Sequence, residues 1–422
     1  MVTMTRAISL LLLFASAAAT LHAQTEDTRQ GVMNPSFKSL QVTVDGDIMS
    51  LPVITLGPAM HRLSITFDEL AEERRWMRYS LEHCDAAWRP EGLAPSEFLD
   101  SFNEGTVEEY EYSQATTVHY VHYRITIPND ELRITQPGNY LLRVYDEQDP
   151  EETLLQARFS IVDPQVSVGL EATSRTDIDT NEAHQQLGIR VGFGKMDVAD
   201  PFSDIKVTIT QNGRPDTERI LTTPTRLGAK EIFYEHIRPL IFEAGNEYRR
   251  FETVSTRYPG MHIDWIDIDA PVCNAGLAPD RPRTSYAYDQ TQNGRYKIRT
   301  TDLDDSDRMA DYVLTHFTLM APRRTDGNYY IEGDLTDRRA DVRSRMTYDQ
   351  ERGAYTASLL LKQGSYNYQY IFVPDGSSEG LAGPAEGNHY QTANEYTVKV
   401  YHRPKGTRFD RLVGVSTITS GI

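Results

Sequence analysis

Cysteine is almost absent from this chain: Cys84 and Cys273 stand alone among 422 residues. A disulfide scaffold is thereby excluded, and two thiols so far apart read more simply as small buried hydrophobes than as a bridge or a nucleophile. Tryptophan is scarce as well, with three residues and none after Trp265. Cations are outnumbered, 43 Lys and Arg against 61 Asp and Glu for a net charge of −18. Nucleic acid is therefore an unexpected partner, since its recognition relies on clustered positive charge, and the same acidity opposes docking on an anionic membrane surface. Long apolar runs are missing too. Nothing approaches the roughly 20 residues of a membrane helix, so no membrane insertion is expected. The run Ile8-Ser9-Leu10-Leu11-Leu12-Leu13-Phe14 follows Arg6 and leads through small residues to Ala23, the pattern of a cleavable secretory signal peptide over residues 1–23. No cysteine follows it, so a lipid anchor is not expected.

Catalytic signatures are also lacking: there is no Gly-x-Ser-x-Gly elbow, phosphate-binding loop or dinucleotide glycine fingerprint. The clusters that remain have plainer readings. His119 and His122 lie on a segment that alternates as a strand, where residues three apart face opposite sides and cannot share a metal. Asp302, Asp304, Asp305 and Asp307 suggest a calcium loop, but the sixth and twelfth positions are Asp307 and Val313 where Gly and Glu are needed. Asp264, Asp267 and Asp269 could supply the paired carboxylates of a glycosidase. Their alternation with Ile266 and Ile268 is instead that of a strand with one wet and one buried face. No catalytic residue, metal ligand or cofactor site is assigned, and no cofactor is expected.

What the sequence does have is strand grammar: short alternating runs rich in Val, Ile, Thr and Tyr, punctuated by Pro, Gly, Asn and Asp. Residues 39–44, 63–67, 75–81, 122–127 and 140–145 form a first group ending near Pro164, and residues 166–170, 186–191, 205–210 and 262–269 a second. Asn212-Gly213 is a hairpin signal within that second group. Residues 312–319, 328–333, 355–361, 365–372 and 395–401 form a third. The spacing predicts an all-β fold of three tandem immunoglobulin-like, E-set-like β-sandwich units. Their expected bounds are 37–164, 165–300 and 301–405, with a linker over 24–36 and a tail over 406–422.

Tyr366, Tyr368 and Tyr370 recur at every second position, so on a strand their rings share a face. Such a row covers a core or presents a platform to a sugar or a protein. Gly333-Asp334-Leu335 and Lys362-Gln363-Gly364-Ser365-Tyr366-Asn367-Tyr368 resemble the framework of starch- and glycogen-binding modules. The tryptophans of such modules are missing, which leaves glycan as an alternative ligand.

One stretch is idiosyncratic: His83-Cys84-Asp85-Ala86-Ala87-Trp88-Arg89-Pro90, followed by Ser96-Glu97-Phe98-Leu99-Asp100-Ser101-Phe102. Further stretches follow in order, among them Pro137-Gly138-Asn139-Tyr140-Leu141-Leu142, Asp311-Tyr312-Val313, Leu361 through Tyr370, and Asp410-Arg411-Leu412-Val413-Gly414. Together they resemble the type IX secretion system plug protein family over residues 38 to 415. The resemblance implies a non-enzymatic subunit that closes the periplasmic opening of a giant outer-membrane β-barrel translocon. It further implies a periplasmic protein held at the outer membrane by that partner. Trp88, Arg89, Phe98 and Phe102, with Tyr366, Tyr368 and Tyr370, are the candidate partner contacts. For Trp88 the residues themselves suggest a structural corner, with the indole buried, Asp85 bonding local backbone amides and Pro90 ending the run.

Overall fold

The structure, a computed structural model, describes residues 27–57 and 61–421; the signal-peptide segment lies outside the described residues. Sheets that are apolar on one face must bury that face against another layer, and six sheets do so here around three large apolar clusters. Strands Phe37–Val44, Leu63–Glu69, Val121–Ile127 and Glu109–Tyr112 form one sheet of the first pair. Met77–Cys84, Gly138–Asp146 and Thr153–Val162 carry most of the other. Phe67 stacks on Tyr123 and Tyr140 on Phe159 between them, with ring centroids 5.4 and 5.5 Å apart. Helix is confined to single turns, and among the described residues none is long and apolar enough to cross a membrane.

The all-β expectation holds, and Tyr312–Leu319 has the bounds read from the sequence. The pairing of strands, however, cuts across the expected segments. Ile205–Gln211 is hydrogen-bonded along its length to Glu395–His402, and the latter to Arg411–Thr419. Val207 and Ile209 thus share a core with Val398 and Val400, opposite the sheet built on His184–Gly192. Residues 249–374, which hold the third cluster's strands, therefore lie between the two halves of the second. The alternating pattern says that a strand has a buried face; it does not say which strand lies beside it.

Two local readings are modified. Asn212 and Gly213 both adopt positive φ, 55° and 69°, as a tight turn requires. The loop nonetheless continues through Pro215–Thr217 before Arg219–Leu221 pairs back on Ile205–Gln211. The strand Ile263–Asp267 stops before Ile268, which is 63% exposed, and its register shifts between Ile263 and Trp265. The carboxylates of Asp267 and Asp269 therefore do not alternate with a buried isoleucine face; Asp269 N–H folds back onto Asp267 Oδ1 at 3.1 Å. Both cysteines are free and buried. Cys84 packs on Trp88 and Leu141 and Cys273 sits in the third cluster, and burial pushes the Cys84 thiol up to about 12.

Candidate interaction surface

The seven residues proposed as partner contacts divide by burial. Asp85 Oδ1 accepts the Ala87 and Arg89 amides at 2.8 and 2.9 Å, and Oδ2 accepts Arg89 Nη2 at 2.8 Å. This ring of bonds holds Trp88 at φ +61° with its indole buried, against the Arg158 guanidinium 4.5 Å from the ring centroid. Phe98 is buried beside Tyr140. Tyr366, Tyr368 and Tyr370 are all buried: the first stacks between Phe251 and Tyr296, each 5.0 Å away. The hydroxyls of Tyr368 and Tyr370 donate to Asp280 Oδ2 at 2.7 and 2.8 Å. These five side chains are structural in the folded chain, and no ring of the tyrosine row is open for a sugar to stack on.

Arg89 and Phe102 remain on the surface. The Arg89 side chain is 75% exposed although it pairs with Asp85. Phe102 is 90% exposed at the edge of a shallow hollow formed with Asp100, Glu104, Asp130, Glu131 and Arg133. Four carboxylates and one guanidinium around a bare phenyl ring make an anchor with an acidic rim. Apolar anchors inside polar rims are the usual form of a protein-binding hot spot.

The two histidines face apart. His119 meets Glu72 at the surface, whereas His122 Nδ1 lies 2.6 Å from Asp68 Oδ1 in the interior. Asp305 caps the short helix Ser306–Met309, and Asp302 bonds Ser255. The acidic loop thus satisfies backbone and neighbouring side chains.

What sequence reasoning did not find is the set of groups that join the three cores. Between the first and third, Asp68 Oδ2 accepts both Lys362 Nζ and Tyr312 Oη at 2.7 Å, all three residues being buried. Burial disfavours charge on Asp68, yet the Lys362 ammonium and His122 hold its carboxyl below the usual range. Between the first and second, Asp410 accepts the Ala86 amide at 2.9 Å and Lys206 Nζ at 2.8 Å. Between the second and third, Arg214 bonds Asp216 and the Gly380 carbonyl, each at 2.6 Å. The N-terminal arm adds a strap: Gly31–Val32 pairs with Thr153–Val162, while Asp337 Oδ2 accepts the Val32 amide at 3.1 Å and Arg339 pairs with Asp27. Ala86, Tyr312, Lys362 and Asp410 lay in motifs singled out beforehand and Lys206 in an expected strand, but none of them was read as a joint, and Asp68 was not singled out at all.

No curated protein matches the sequence. Among solved structures, a hypothetical protein from Parabacteroides merdae superposes at a TM-score of 0.91 with 40% identity, covering 93% of this chain and 99% of that one. A Pseudomonas fluorescens alkylpurine DNA glycosylase bound to DNA reaches a TM-score of 0.17 over 30% of each chain, which is no likeness of fold. The model of the type 9 secretion system plug protein 1st domain matches residues 37–163, the span of the first sheet pair and of the Trp88 corner. The chain belongs to the type 9 secretion system plug protein family, a family of secretion components rather than of enzymes.

Proposed function

We propose that this protein is a non-enzymatic plug that sits in the periplasm, peripheral to the outer membrane, and closes the periplasmic opening of the type IX β-barrel translocon. The family match over residues 37–163 carries this reading. A pore wide enough for folded cargo leaks unless a rigid body fills it, and three cores tied by one buried ion pair and by buried hydrogen bonds to charged groups supply such a body. A plug must also leave when cargo passes, so its contact surface has to tolerate water. The exposed Phe102 within its acidic hollow is a surface of that kind, and Arg89 is the second exposed candidate contact.

The test is genetic and physical together. Removing the protein makes the outer membrane permeable to large solutes while the translocon barrel is present, and a second deletion of the barrel restores the seal. Leakage that persists without the barrel overturns the reading. Phe102→Ala, which removes an exposed ring and no core contact, lowers co-purification of the barrel severalfold and leaves the melting temperature unchanged.

A further inference from the structure

Where the three cores meet, the chain forms a cavity of about 210 Å³ that is partly open to solvent. The N-terminal arm supplies Arg29 and Gln30, the first sandwich Trp88 and Arg158, the second Glu218 and Lys399, and the third Arg338 and Asp337. Most charged groups on its wall already have partners: Arg338 with Glu332 and Asp334, Arg29 and Arg339 with Asp27, and Arg295 with Glu395. Three do not. Arg158 donates to the Thr28 carbonyl at 2.6 Å and the Thr28 hydroxyl at 3.1 Å, both neutral acceptors, and leans on the Trp88 ring. Lys399 Nζ donates to Ser160 Oγ at 2.9 Å and lies 5.2 Å from the same ring. The Glu218 carboxylate accepts no hydrogen bond among the described residues, although it feels the charge of both cations. The wall thus holds two cations against one carboxylate, with donor positions on Lys399 and Arg158 unfilled.

Burial without an adequate counter-charge shows in each group. It lowers the Lys399 ammonium to about 8 and the Arg158 guanidinium to about 10, and raises the Glu218 carboxyl. A charge shielded from water without a partner is unfavourable, so a cavity with one surplus cation is a site for a negative ion. We infer that this three-way cavity binds a small oxyanion, a carboxylate or a phosphate, between Lys399 and Arg158 over the Trp88 ring. At about 30 Å³ per water of liquid volume, the space suits a guest of roughly seven non-hydrogen atoms. The guest would touch residues from two sandwiches beneath the N-terminal arm, so its binding tightens the joint.

The test uses purified full-length protein with acetate, malonate or inorganic phosphate, against sodium chloride at matched ionic strength. Melting temperature and titration heat are read together. At least one of the three oxyanions gives saturable stabilisation that chloride does not. Lys399→Met weakens that binding at least tenfold, and Glu218→Gln, which removes the internal competitor, strengthens it several-fold. Should Lys399→Met fail to fold, Glu218→Gln alone decides the matter. The inference is overturned if none of the three oxyanions binds saturably to the wild type, as for a cavity holding water alone. It is equally overturned if Lys399→Met folds and binds unchanged, or if Glu218→Gln does not strengthen binding.

Discussion

Asp68 receives Lys362, Tyr312 and His122 from two different cores, with no exposure to water. Removing one member of a buried ion pair leaves the other charge desolvated, at a cost of about 3–5 kcal/mol. Lys362→Met is therefore expected to lower the free energy of unfolding by about that much at pH 7, read from the shift of the denaturant midpoint. The sign of its pH dependence follows from the carboxyl, whose folded value lies below the ordinary 3.8. The pair's contribution is fully present above about pH 4 and is lost as pH falls through the lower folded value. The gap between wild type and Lys362→Met, followed by urea titration, narrows only in that acid range. Asp337 behaves in the opposite sense. Burial beside the arm raises its carboxyl to about 6 against an ordinary 3.8, so the folded chain holds a proton that the unfolded chain has released. Stability therefore falls as pH rises from about 4 to 6. Asp337 sits at φ 53°, a conformation asparagine accepts. Asp337→Asn is expected to be more stable than wild type at pH 8 by on the order of 2 kcal/mol, with the difference closing as pH approaches 4.

At the scale of the element, the joints depend on close approach. Gly138 begins the strand Gly138–Asp146 at φ 154°, and a Cβ there would stand 2.2 Å from His83 Nε2. His83 cannot move aside: its side chain is fully buried, bonded to Glu91 at 2.8 Å and wedged against Tyr140 and Phe409. Gly138→Ala is expected to destabilise by roughly 2–4 kcal/mol, measured by thermal denaturation. Pro137-Gly138 was legible in the sequence as part of a family-like stretch; the duty of Gly138, making room for a buried histidine, was not. The C-terminal segment tells the same story. Residues read as a tail contain Arg411–Thr419, which covers Glu395–His402 with a full ladder and places Leu412 and Val413 in buried positions. Truncation after Arg403 exposes that ladder and removes Asp410 from the joint with Ala86 and Lys206. Such a chain is expected to fail to fold, seen as loss of near-ultraviolet circular dichroism.

For the molecule as a whole, the consequence is cooperativity. The second core is closed by strands on either side of the residues that build the third, so the second cannot be ordered from a contiguous segment alone. Buried pairs join both to the first. Calorimetry is expected to give one unfolding transition rather than three, and a fragment of residues 165–300 to remain unfolded because Ile205–Gln211 lacks Glu395–His402. A separate transition for each core would contradict this. A body that unfolds as a unit also resists deformation as a unit, which is the mechanical property that the proposed plug role calls for.

The amino-acid sequence by itself determined the all-β class, the strands with the clearest alternation, the lack of a catalytic motif and the family resemblance. These depend on local alternation and on short residue patterns, which survive as a string of letters. Tertiary structure decided the rest: which strands pair across nearly 200 positions, that Trp88, Phe98 and the tyrosine row lie inside while Phe102 lies outside, and that Arg158, Lys399 and Glu218 converge on one cavity. An aromatic row has the same periodicity whether it faces a core or a partner, and a charged residue carries no mark in sequence of the neighbour that will bury it. Burial and pairing are properties of the whole packed chain, fixed only when every sheet has found the surface that covers it.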